Sequence, residues 1–210
     1  MERFIANAKL KRAQLTETTG EARWSLGTMR GRLVELSARG AAATLTAAVE
    51  LVLEAQTQSE PVAWITLASG SFYPPDAADS GVDLNALVVV RVPDAIAAAR
   101  AAERLLRSGA FGLVVLDLAL GQADLSRSLS LAIQGRLVTL AQTHDAAVVC
   151  VTDKTEETSS IGSLVSLRAS ALRGRERDGR FHVTVRALKD KQRGPGWSWH
   201  ALREGPAGLR

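Results

Sequence analysis

The chain has 210 residues, enough for one domain with a substantial core, and 46% of them are hydrophobic, which excludes a disordered or fibrous class. A net charge of +4 and a pI near 9.7 favour encounter with acidic surfaces, nucleic acid among them, without specifying a function. The single cysteine, Cys150 in the run AAVVCV, excludes a disulfide framework, and no apolar run reaches the roughly 20 residues of a membrane span, so a cytoplasmic protein with a buried structural thiol is expected.

Residues 1–30 are polar with scattered apolar positions (Phe4, Ile5, Ala8, Leu10, Leu15) and lack a hydrophobic signal core. They read as a leader, helical or mobile, ahead of one core domain at 31–205 and a short tail at 206–210. Residues 32–36 read as a short buried strand and 44–56 as a helix with Leu45, Ala48, Val49, Val52 and Leu53 on one face. Between such elements nucleotide-binding proteins place G-x-x-x-x-G-K-[ST], whose glycine amides wrap phosphate, whose lysine neutralises it and whose hydroxyl holds magnesium. Here the segment runs Ser37, Ala38, Arg39, Gly40, Ala41, Ala42, Ala43, Thr44, with one glycine, no lysine, and alanines where the charged and magnesium-holding groups would stand.

Downstream, 61–68 reads as a strand with Trp64 in the core, and 69–80, with Pro74, Pro75, Asp76 and Asp79, as a loop. The β-branched run 86–92 predicts a third strand, followed by an alanine-rich helix over 94–108 that stops at Gly109. Residues 112–118 form the next buried strand, with Asp117 near its end, then a helix over 126–142 and a strand over 146–151. The connection 153–162 is short and acidic, carrying Asp153, Glu156 and Glu157, which repel a phosphate backbone.

From Ser163 the pattern turns to alternating strands, with Asp178-Gly179 as a strong hairpin signal and a last strand over 197–203. Trp197 and Trp199 share a face and read as core cover. The hairpin is the basic part of the molecule, and Arg173, Arg175, Arg177, Lys189, Lys191 and Arg193 are candidate contacts for DNA or an acidic partner. His144, His182 and His200 have no ligand spacing, so no metal site is expected, and no G-x-S-x-G elbow appears.

Taken in order, these segments resemble the ATPase core of the RecA recombinases. The likeness is carried by GRLVEL at 31–36 followed by Thr44-Leu45-Thr46, by Ala63 to Ala68 and by the approach Gly81 to Leu87. It continues through Arg107-Ser108-Gly109-Ala110 ahead of the Walker B-like Leu113 to Asp117, and ends at Leu188-Lys189-Asp190-Lys191 with Pro195. It implies an α/β, P-loop NTPase-type core: a mainly parallel central sheet flanked by helices, with C-terminal antiparallel strands. It also implies that Ala68 stands where the family has its catalytic glutamate, that Asp117 is a vestigial carboxylate, and that Lys189 and Lys191 match lysines reaching toward a neighbour's nucleotide. With the loop Arg39, Gly40, Ala41, Ala42, Ala43, Thr44 degenerate, no nucleotide, cofactor or catalysis is expected.

The resemblance further implies that the third strand lies at a sheet edge, where recombinases receive a neighbour's docking strand and helix. The partner-binding residues expected there are Leu87, Val88, Val89, Val90, Val92, Ala97, Ala98, Ala101 and Leu105. Nothing in the leader matches the recombinase docking segment, so the core would receive a partner without forming a self-filament. A short core with a decayed loop is similar to the ImuA type of mutagenesis accessory protein, which implies an ImuB-type Y-family polymerase homologue as partner and an error-prone C-family polymerase beyond it. Weak DNA binding through the hairpin, a residual nucleotide switch using Arg39, and a cell-division inhibitor of the SulA type are the alternative expectations.

Overall fold

The computed structural model describes residues 24–70, 72–119 and 128–204. In chain order the elements are α1 (Leu26–Met29), β1 (Leu33–Ser37), α2 (Thr44–Thr57), β2 (Val62–Leu67), α3 (Pro74–Asp79), a 3-10 turn (Leu84–Ala86), β3 (Leu87–Val92) and α4 (Ala95–Arg107). There follow β4 (Leu113–Asp117), α5 (Leu131–Thr143), β5 (Ala147–Thr152), β6 (Leu167–Arg175), β7 (Phe181–Asp190) and β8 (Ser198–Arg203). The eight strands form one sheet in the order β3-β2-β4-β5-β1-β6-β7-β8. Pairing is parallel from β3 to β6 and antiparallel from β6 to β8. The architecture expected from the resemblance is therefore the one observed.

Strand composition explains the order. β1, β2, β4 and β5 are buried at every residue, as strands covered on both faces require, and they occupy the middle of the sheet. On one face, α1 and α2 pack over Val34, Leu36, Trp64, Val115 and Val149. On the other, α4 and α5 pack over Leu33, Ile65, Leu116, Val148 and Cys150. Burial raises the Cys150 thiol above its ordinary value, in keeping with an inert core residue. Trp64 is fully buried and stacks on Phe72, and Trp197 and Trp199 pack on the α2 side as core cover. The Asp178-Gly179 turn joins β6 to β7, with Gly179 at φ 86°, a conformation glycine adopts without penalty.

Three expectations need correction. The span 69–80, expected to be a loop, contains α3, because Pro74 and Pro75 sit in its first turn, where proline's fixed φ suits a helix. The helix expected over 126–142 begins at Leu131 after Ser130; 120–127 lie outside the described residues. The core also begins before residue 31. Trp24, Leu26 and Met29 are buried, the Trp24 indole N–H donates to Ala47 O at 3.0 Å, and the Leu26 amide donates to Glu54 at 2.7 Å. Residues 1–23 of the expected leader and the tail 206–210 lie outside the described residues. Among the described residues no helix is long and apolar enough to cross a membrane.

The C-terminal strands are locked to the parallel core by a buried ion pair. Arg32, just before β1, donates to Asp190 at 2.7 Å, and both side chains are almost wholly enclosed. Asp190 also accepts from the Gln192 amide at 2.9 Å and the Trp197 indole at 3.1 Å. Burial alone would raise this carboxyl, but these donors outweigh it and hold it below the usual aspartate range. The contribution is therefore complete above the ordinary aspartate value of about 3.9 and is lost as pH falls through the lower folded value. Asp190→Ala should destabilise the fold by roughly 3–5 kcal/mol in chemical denaturation at neutral pH, because Arg32 is left buried and unpaired. Arg32→Met with Asp190→Leu should cost markedly less.

Candidate functional site

The turn where the resemblance would place a phosphate loop is paired to β6. The turn at 39–43, between β1 and α2, forms an antiparallel bridge from Ala42 to Leu172. The Ala43 amide donates to Ala171 O at 2.9 Å, and the Ala41 carbonyl accepts from the Arg173 amide at 2.9 Å. The Ala42 amide turns inward to Gly40 O at 2.8 Å, with Gly40 at φ 81°. A phosphate cradle needs amides that point to ligand; Ala42 and Ala43 give theirs to protein carbonyls. Arg39 pairs with Asp153 at 3.2 Å across the end of the sheet, and Thr44, which opens α2, is buried. Nothing in the sequence flagged the bridge, since it depends on where β6 runs.

Beneath this turn, on the α2 face, lies Asp117. It is 3% exposed and accepts from the Thr66 hydroxyl at 3.3 Å and the Ala119 amide at 3.4 Å. Burial raises its pKa; those two donors and the nearby Trp64 indole offset only part of the effect. Ala68, exposed just past β2, presents a methyl group that cannot take a proton.

A second polar cluster, missed by the sequence reading, centres on Glu35 in β1. Its wholly buried carboxylate accepts from the Thr152 hydroxyl at 3.1 Å and the Ile161 amide at 2.9 Å, and pairs with Lys154 at 3.0 Å. Around it the connection 153–162 is strapped to the sheet. The Arg168 guanidinium donates to the carbonyls of Thr155 and Thr158, and Glu156 pairs with Arg186 and accepts from the Ser170 hydroxyl at 2.7 Å. The acidic residues Asp153 and Glu156 thus neutralise cations of the chain itself. One carboxylate inside the apolar run LVELS was the available signal.

The predicted basic contacts divide. Arg175, Arg177 and Arg193 are exposed, Arg173 lies 5.4 Å over the Phe181 ring, and Lys191 donates to Ser163 O at 2.7 Å. Lys189 is half-buried opposite Arg168, and desolvation lowers its pKa, with the Lys191 charge adding to the effect. His182 and His200 stack with centroids 5.2 Å apart beside Thr184. Among the described residues no cluster of His, Cys, Asp and Glu could hold a metal ion.

At the other end of the sheet, β3 has a neighbour on one side only, so its outer backbone edge is open among the described residues. Of the nine residues expected there, the structure gathers five into one flank. Val88, 44% exposed, lies with Val90 on the α4 side of the strand, and Ala97, Ala101 and Leu105 are half-buried along α4. The other four do not join that flank. Ala98 is fully buried against the chain's own sheet, Leu87 and Val92 are nearly so, and Val89 faces the α2 layer. Helix periodicity turns Ala98 inward with Ala95 and Ala102, a distinction alanine composition alone does not make.

No protein-family model matches the chain. Over 91 residues, 43% of the chain, it is 35% identical to the protein RecA of Chlorobium limicola. The match spans 26% of that protein's length.

Two outcomes follow from the loop and from Asp117. Titration calorimetry with magnesium and ATP should give no saturable heat at micromolar nucleotide. Because the folded Asp117 carboxyl binds its proton more tightly than the unfolded one, stability should fall as pH rises from the ordinary aspartate value, about 3.9, to the raised folded value. Asp117→Asn should remove that slope from denaturation curves taken at a series of pH values. With a similarity to RecA confined to under half of the chain and an eight-stranded sheet that fits it, the molecule has a RecA-like α/β core.

Proposed function

We propose that this chain is a non-catalytic, RecA-like accessory protein of the ImuA type, acting in damage-induced mutagenesis in the cytoplasm. It binds an ImuB-type Y-family polymerase homologue, and through it serves an error-prone C-family polymerase during translesion synthesis. The observation that carries this reading is the open edge of β3 beside an apolar flank of α4. An edge strand offers unpaired backbone groups to an incoming strand, and half-buried alanines let an incoming helix approach closely. Further support comes from the 39–43 turn, whose Ala42 and Ala43 amides are bonded within the protein, and from Ala68, which removes the general base.

In this mechanism a strand of the partner adds to β3, and a helix of the same segment lies along Ala97, Ala101 and Leu105. The core contributes a rigid platform and no chemistry. A second reading, direct DNA binding through the hairpin, has the exposed Arg175, Arg177 and Arg193 in its favour. It is weakened by the acidic 153–162 strap, which ties down Arg186 and encloses Arg168.

Co-expression with an ImuB-type homologue should yield a stable complex that Ala101→Arg disrupts while the melting temperature stays within a few degrees of wild type. A complex that survives Ala101→Arg and Val88→Asn unchanged would remove this flank from consideration. Fluorescence anisotropy with single-stranded DNA should show only weak binding that falls steeply with salt. Tight DNA binding abolished by Arg175→Ala with Arg177→Ala would favour the second reading.

A further inference from the structure

Resting on the docking reading above, we infer that the flank selects an acidic partner segment: the helix that packs along α4 carries carboxylates one turn apart, facing Arg100 and Arg104. Both arginines are exposed, and neither has an ion pair or side-chain hydrogen bond among the described residues. The contrast on the same helix is informative. Glu103, the only acid within α4, is shared by Arg107 at 2.6 Å and Arg136 at 3.0 Å, and these donors lower its pKa despite some desolvation. Asp94 is also engaged, capping α4 by accepting from the Ala97 amide at 2.7 Å. The outer rim of the flank is thus left with positive charge and no resident acid.

Helical spacing places those charges where docking would matter. Arg100 lies three residues beyond Ala97 and Arg104 three beyond Ala101, so each guanidinium borders the ridge Ala97, Ala101, Leu105. Small side chains on the ridge bring helix axes to about 8 Å, within reach of a short Asp or Glu. A helix seated there removes water from both guanidiniums, which is unfavourable unless carboxylates replace it. A basic helix is rejected by the same charges, so the rim supplies specificity while the apolar ridge and the strand edge supply contact area.

The test uses the full chain and a purified ImuB-type homologue, with dissociation constants measured at about 50 and about 500 mM sodium chloride, where screening lengths differ severalfold. Arg100→Glu with Arg104→Glu should weaken binding on the order of tenfold or more at low salt, and the loss should shrink at high salt. Both sites are exposed, so thermal melting should be unchanged. If this double variant binds like wild type while Ala101→Trp or Val88→Asn loses affinity, the acidic complement is wrong and the docking site stands. If none of these variants changes affinity, or wild type forms no complex, the docking reading fails and this inference with it.

Discussion

Backbone hydrogen bonds between the 39–43 turn and β6 govern what the C-terminal end of this sheet can bind. A phosphate-binding loop works because several amides converge on empty space at a helix N-terminus. Here the Ala43 amide is bonded to Ala171, that of Ala42 to Gly40, and the Ala41 carbonyl to Arg173. Replacing those bonds with bonds to phosphate would require the turn to leave β6, with no lysine to compensate the ligand's charge. Through the bridge from Ala42 to Leu172, the turn is part of the sheet's hydrogen-bond ladder.

The Glu35 cluster does the equivalent for the connection after β5. Its buried carboxylate would be costly without donors, and it finds them in Thr152, Lys154 and the Ile161 amide, two of which belong to the connection itself. Arg168 and Glu156 add further ties from the β6 side. A segment held at so many points along its length is part of the core's surface. Both the turn and the connection are committed to intramolecular bonds, while at the flank β3 keeps an open edge beside an apolar ridge and two arginines that have no ion pair among the described residues.

Much of the fold was legible in the sequence because its strongest signals are local and regular. The apolar runs of β1, β2, β4 and β5 are too short for helices and too continuous for an exposed sheet, and Asp178-Gly179 marks its hairpin without ambiguity. α3 was not legible because six residues opened by two prolines look the same as a turn. Trp24 to Met29 joined the core through contacts with α2, far along the chain, which a leader-like composition hides. At the candidate site, the lack of a lysine in the turn and the edge position of β3 were legible, the second through resemblance to recombinases. The inward rotation of Ala98, the bridge from Ala42 to Leu172 and the partners of Glu35 were not, because each depends on the register of elements distant in sequence.

The proposed function has a partner bind along the open side of β3. Amide hydrogen–deuterium exchange of the chain, alone and with an ImuB-type homologue, tests it most directly, since strand addition must protect outward-facing amides that now exchange with water. The account predicts slowed exchange across 87–92 and along α4, with 39–43 and 153–162 unaffected. Protection confined to the hairpin at 167–190, or appearing at 39–43 on addition of nucleotide, would contradict it.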